Sequence, residues 1–357
     1  MGLTLENNGK FTETRKQLYQ KSLKACFKLY RDVKTADPSI KTFLHLFDHC
    51  IKPIVLYGCE NWSIINITPR RKITSIFDIF KDWGVEKLNM KFCKFIMGVS
   101  KTCTNVGIYS ELGRYPLYID MLKQFFMYWY RLEHTTSNLL EAALQECKSC
   151  TINSEWYSSL IFYSEKLQIN LPLCKTLSEN KFKLYIKKQL RNAFLNFWDD
   201  TRATYLQGSG KLSTYFKYKG SFSFEKYLNL KNRDNRVILT KFRISNHSLR
   251  VETGRYERKI NEFGKYEILS RCERVCQFCT SSSTEDEVHF LLECPLYNNP
   301  RREFLNGLFK SFPNLVLLNK ADLFIWIMSN EDLEFIVSLC QHLINNFDSR
   351  KQHTCTT

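Results

Sequence analysis

The chain has 357 residues, of which 44% are hydrophobic and 14% aromatic, so it can build true cores and is not a disordered tail. Its 52 lysines and arginines against 36 acidic residues give a formal charge of +16, which points to a polyanionic partner, most commonly nucleic acid. No run reaches the roughly eighteen apolar residues of a membrane span, the first ten residues lack an apolar signal core, and Glu6 stands where a myristoylation signal following Gly2 needs Ser or Thr.

Taken in chain order, the periodicity predicts mostly helix. Over 15–34, Tyr19, Leu23, Cys26, Phe27, Tyr30 and Val33 form one stripe, opposite Lys21, Lys24, Lys28 and Arg31. A second helix begins after Pro38, carries Phe43, Leu44, Leu46, Phe47 and Ile51, and should end before Pro53. Leu88, Phe92, Phe95 and Val99 recur at helical spacing, with Gly98 near the C-terminus. The most aromatic helix is 116–131, with Leu122, Phe125, Phe126 and Trp129 for a bundle core. Another spans 181–198, burying Phe182, Ile186, Leu190 and Phe197 beneath Lys183, Lys187, Lys188 and Arg191. Residues 207–211 read as a linker, and 301–309 and 332–347 as closing helices around a turn at Pro313. The fold class is therefore mainly α.

Past the linker, residues 211–260 hold thirteen basic and four acidic residues, a net +9. Lys217, Lys219, Arg233, Arg236, Arg243, Arg250 and Arg255 are candidates for phosphate contacts, and Tyr215, Phe216, Tyr218, Phe222, Phe224 and Tyr227 for base stacking. Two alternatives stand beside this reading. The aromatics can be core, and Arg250 and Arg255, which flank Glu252, can form internal ion pairs.

Cys276-x2-Cys279-x9-His289-x4-Cys294 supplies three thiolates and one imidazole, a full tetrahedral set for structural Zn²⁺ with no position left for water. Phe278, Val288, Phe290, Leu291 and Leu292 can pack around the metal, and Glu285, Asp286 and Glu287 can orient the histidine ring. Cys272 is a further thiol able to compete as a ligand. The other cysteines of the fourteen, including Cys147 and Cys150, lack ligand spacing and read as reduced thiols of an intracellular protein, nuclear or cytoplasmic.

Catalytic signatures are not found: no HExxH, GxSxG, DFG or HRD, and no Asp pair in a strand-turn-strand setting for two metal ions. Three segments nonetheless form a recognisable series. They are Ile51-Lys52-Pro53-Ile54-Val55-Leu56-Tyr57-Gly58-Cys59-Glu60-Asn61-Trp62, then Lys101-Thr102-Cys103-Thr104-Asn105 leading to Glu111-Leu112-Gly113-Arg114-Tyr115-Pro116-Leu117, and Arg250-Val251-Glu252-Thr253-Gly254-Arg255-Tyr256 ahead of the cysteines. In this order they resemble the C-terminal part of non-LTR (LINE-type) retrotransposon reverse transcriptases. The start of the chain, Met1 to Phe11, is similar to the stretch that closes that family's palm, as in a reading frame beginning inside a degenerate element.

The resemblance implies five segments: 1–135, the end of the palm and thumb-like helices; 136–206, a helical connection; 207–271, the basic segment; 272–300, a Cys-Cys-His-Cys zinc-knuckle-like element; and 301–357, the closing helices. The family's catalytic aspartates would precede Met1, so the expectation is a transposable-element fragment that is not an enzyme. It would bind RNA or DNA, with a complete reverse transcriptase acting in trans as a possible partner, and would engage neither a membrane nor a small-molecule substrate. The alternative is a host protein-interaction adaptor that keeps the helical scaffold and the zinc knuckle.

Overall fold

The structure is a computed structural model that describes residues 2–7, 10–33, 36, 38–65, 75–149, 154–208 and 210–355. Met1 and Gly9 of the chain-start resemblance, Cys150, and Ser209 of the linker lie outside the described residues. The protein is mainly α-helical, 69% of it in helices, with one two-stranded antiparallel sheet among the described residues. Its contacts divide it into two compact units, each discontinuous in sequence: 1–93 with 114–200, and 94–113 with 201–357. The segments 207–271, 272–300 and 301–357 of the sequence reading thus share one unit.

In the first unit the helix Leu117–Glu133 lies at the core, with Leu122, Phe125, Phe126 and Trp129 all buried as their spacing predicts. The Phe125 ring meets Trp156 at 5.3 Å and Tyr163 at 5.5 Å, and Phe80 stacks on Tyr118 at 5.3 Å. The short helix Cys59–Trp62 packs against it, entered through Gly58 at φ +62°, where a side chain would also collide with Leu3. Trp62 closes that turn by donating Nε1–H to the Tyr57 carbonyl (2.9 Å). Arg114 grips both oxygens of Asp48, at 2.7 and 3.2 Å, and holds that carboxyl below its usual range against the upward push of burial.

Three helix expectations need correction. In Thr12–Val33 the buried line is Thr14, Leu18, Ser22 and Cys26, whereas Phe27 is 54% exposed; small side chains at 14, 22 and 26 let the backbone approach its neighbours closely. The second helix does not stop before Pro53. Ile40–Leu46 passes into a π-turn, Phe47–Ile51, and then into Lys52–Val55, with Pro53 in a first turn that does not need its missing N–H. The helix predicted for 181–198 extends over Glu179–Gln207, burying Phe182, Ile186, Leu190, Phe194 and Trp198 at steps of four.

The second unit is organised around a buried polar network. Glu111, on the helix Asn105–Leu112, accepts from Arg243 Nε (3.0 Å) and Nη2 (3.1 Å) and from the Tyr227 hydroxyl (2.6 Å). Arg243, on the helix Arg233–Arg243, also pairs with Glu225 (3.0 Å) and donates to the Met328 carbonyl (2.6 Å), and Lys219 pairs with Glu225. The next turn requires a glycine. Gly113 has φ +53°, and a Cβ there would lie 2.5 Å from the Phe224 backbone nitrogen, where Leu112 and Phe224 form a β-bridge.

Candidate metal centre

The Cys/His motif folds as a tight reversal followed by a helical turn. Val275 and Thr284 form an antiparallel bridge, closed by Cys276 N–H to Ser283 O (2.8 Å) and Glu285 N–H to Arg274 O (3.0 Å). The loop so formed carries Cys276 and Cys279, and the Phe278 N–H points at Cys276 Sγ (3.5 Å). His289 opens a π-turn, His289–Glu293, and Cys294 N–H closes onto His289 O at 2.7 Å. A bond from residue i+5 to residue i brings His289 and Cys294 to one side, which is what the x4 spacing needs.

The four ligand atoms lie within 4.8 Å of one another, a group able to hold a metal ion. Cys276 Sγ and Cys294 Sγ are 3.9 Å apart, and Cys279 Sγ is 3.5 Å from His289 Nε2. Cys276, His289 and Cys294 are buried and Cys279 is half-buried, so the donor set faces inward. A hydrogen bond to Cys294, together with burial, pushes the Cys276 thiol up to about 12, and the same contact lowers Cys294. Contacts with Cys276 and Cys279 push His289 up to about 9 against the effect of burial. These opposed shifts follow from packing three thiols and an imidazole into one small space. Cys272 stands apart, exposed and 3.1 Å from Ser270 Oγ.

The acidic run behaves differently from its expected role at the histidine ring. Glu285 is buried, clamped by Arg350 through two 2.9 Å bonds, and accepts the Arg250 N–H. Glu287 accepts from Thr214 (3.1 Å) and Ser245 (3.0 Å) and pairs with His247 (3.1 Å); burial would raise its pKa, but His247 and Arg271 hold it at about 2. Asp286 caps the turn by accepting the N–H of Val288 and of His289. These carboxylates weld the element to its unit and fix its backbone. The carboxylate beside the ring is Glu293, whose Oε2 lies 3.5 Å from a buried Nδ1 that has no hydrogen-bond partner.

Arg301 lies behind the site, donating to the carbonyls of Leu291 (3.1 Å) and Cys294. Phe290, Leu291 and Leu292 are buried as expected, yet they pack into the unit's own core: Phe290 meets Phe347 at 4.5 Å and Phe242 at 5.9 Å. The Arg350 guanidinium covers Phe278 at 4.8 Å.

The seven candidate phosphate-binding residues are not brought together. Lys219, Arg236 and Arg243 are buried, which corrects their assignment to an exposed basic face: Lys219 and Arg243 serve the Glu111–Glu225 network, and Arg236 donates to the carbonyls of Leu230 and Lys231. Arg250 grips Glu257 (2.7 Å) and Arg255 grips Glu252 (2.8 Å), the internal pairing that was the alternative for these two. Lys217 and Arg233 are exposed. Tyr215, Phe216 and Tyr227 are core residues, so they offer no stacking surface.

No protein-family model matches the chain, and no curated protein or solved structure is similar to it at a significant level.

Proposed function

We propose that this chain is a non-catalytic nucleic-acid-binding module, of the kind found C-terminal to the palm in non-LTR reverse transcriptases, with one structural Zn²⁺ on Cys276, Cys279, His289 and Cys294. For zinc, bonds of about 2.3 Å to sulfur and about 2.0 Å to nitrogen imply tetrahedral edges of about 3.8 Å (S···S) and about 3.5 Å (S···N). Two of the six separations between ligand atoms, 3.9 Å and 3.5 Å, match those edges, and all six are within 4.8 Å, which supports that choice. With all four positions taken by protein, the ion braces the fold and activates no water.

The observation that carries the binding reading is a line of exposed cations on one helix. Lys183, Lys187 and Arg191 recur every four residues along Glu179–Gln207, with Lys188 beside them, and the three lysines have no acidic partner among the described residues. Steps of four residues space the charges about 6 Å apart, comparable to phosphates along a single strand. Lys123, on the helix Leu117–Glu133, is lowered mainly by burial, raised by Asp120 and lowered again by Lys183, Lys187 and Lys52, so it adds a further cation near the start of that line.

Anisotropy titrations of the full chain with RNA and DNA oligomers of unrelated sequence, at several salt concentrations, test this. We expect little sequence preference and a log–log salt slope reduced by about 2 to 3 in Lys183→Ala/Lys187→Ala/Arg191→Ala. An unchanged slope with the fold intact would favour the adaptor reading, to which the internal pairing of the 211–260 cations also lends support.

A further inference from the structure

Between the basic segment and the metal centre, the chain forms a two-stranded ribbon, Arg258–Ile260 with Tyr266–Ile268. The register pairs Arg258 with Ile268 and Ile260 with Tyr266, so these four side chains share one face, and Lys259 and Glu267 lie on the other. Asn261 shapes the tip: its backbone N–H reaches the Lys265 carbonyl (2.9 Å), and its Oδ1 accepts from the N–H of Phe263 and of Lys265. Gly264, at φ +70°, completes the turn.

That construction holds large apolar groups in water. Tyr256 is 80%, Phe263 84% and Tyr266 72% exposed, the three most exposed aromatic side chains among the described residues, and Ile260 and Ile268 are exposed as well. An isolated two-stranded ribbon is marginal in water, and a clustered apolar surface on it marks a contact site. The charges around it select the partner. Glu257 is paired with Arg250, while Glu267 and Glu273 share the single cation of Lys259, which lies with Glu267 on the face opposite Ile260, Tyr266 and Ile268. Arg258 and Lys265 have no acidic partner among the described residues, and Glu262 is the ribbon carboxylate left without a cation. The unpaired charge on the face that carries Ile260, Tyr266 and Ile268 is therefore the positive one of Arg258.

We infer that the 256–268 ribbon is a stacking platform for unpaired bases: Tyr256, Phe263 and Tyr266 take base faces, and Arg258 and Lys265 take the flanking phosphates of a single strand. Aromatic rings accept any base, because every base has a π-face, and duplex DNA or RNA keeps those faces covered. This inference rests on the nucleic-acid reading above and adds to it a strand preference and a second contact region.

The test compares the full chain with Tyr256→Ala/Phe263→Ala/Tyr266→Ala, measuring anisotropy on a labelled 20-mer of poly-dT or poly-U and on a mixed-sequence duplex of equal length. Stacking contributes about 1–3 kcal/mol per base, so single-strand affinity should fall at least tenfold, with duplex affinity changed less than twofold. Tyr256→Phe/Tyr266→Phe should bind like the wild type, because the rings and not the hydroxyls make the contact. Circular dichroism on the exposed-site variant should be unchanged. Equal binding of the 20-mer by the wild type and the triple variant would overturn the platform and leave the nucleic-acid reading standing. Unchanged binding coupled with loss of self-association in sedimentation would overturn it in favour of a contact between copies. A wild type that binds neither oligomer at low salt would remove both readings.

Discussion

Buried against Phe304, with ring centroids 4.6 Å apart, His342 accepts a 3.0 Å bond at Nε2 from the Asn346 amide, and burial together with the charge of Arg301 depresses its pKa from 6.5 to about 4. The unfolded chain therefore takes up this proton first as pH falls, so stability drops between about pH 6.5 and pH 4 and is fully present above that window. The full linkage is on the order of 3 kcal/mol at the acid end. Urea unfolding at pH 7.0, 5.5 and 4.5 should show a steeper acid loss in the wild type than in His342→Gln; equal slopes would mean that the ring is already solvated. Two glycines make a second residue-scale test. Gly113→Ala places a Cβ 2.5 Å from a backbone nitrogen at φ +53° and should lower stability by about 1–3 kcal/mol. Gly307→Ala, in the helix Asn298–Ser311 with open space around it, should raise stability by about 0.5–1 kcal/mol in the same thermal melts.

At the scale of elements, the helix Asn105–Leu112 is tied to Arg233–Arg243 by a carboxylate and a guanidinium that are both buried. Burial alone would raise the Glu111 pKa, but Arg243 and Lys219 hold the group charged, below its usual value. Glu111→Gln removes that charge and leaves Arg243 with Glu225 alone, so we expect a loss of about 3–5 kcal/mol in denaturant unfolding; a loss under about 1 kcal/mol would show that the network relaxes at little cost. This network also explains what was legible in the sequence. Helices such as Leu117–Glu133 announce themselves because burial repeats every three to four residues, and the metal ligands because chelation by a tight loop and a single helical turn fixes their spacing locally. The role of Arg243 is decided by Glu111, 132 residues away, and no local pattern distinguishes a cation headed for a buried carboxylate from one headed for a phosphate. The 256–268 ribbon is illegible for another local reason: its strands are three residues each, too short for a period of two to register, and Arg258-Lys259 breaks the alternation in the first.

Across the molecule, the second unit depends on the Cys/His element far more than a separate knuckle appended to a helical scaffold would require. Phe290 sits between Phe242 and Phe347, Glu285 is clamped by Arg350 of the helix Leu333–Cys355, and Glu287 gathers Thr214, Ser245 and His247. The Glu285 carbonyl also accepts the Val251 N–H, which fixes the short helix Arg250–Thr253. Structural zinc in small peptides contributes on the order of 10 kcal/mol to folding, and here that free energy would be distributed through these contacts. Stripping the metal with a chelator, or Cys276→Ser, should therefore expose amides well beyond the site. Hydrogen exchange should speed up by at least tenfold in 245–253, 285–294 and 342–350, while the helix Leu117–Glu133, whose core is the aromatic cluster of the other unit, keeps its protection. One zinc per chain should be lost in Cys276→Ser and retained in Cys147→Ser and Cys272→Ser. Exchange confined to 276–294 would mean that the apolar core carries the unit without the ion, and full protection with no metal bound would show that the four ligands are only neighbours.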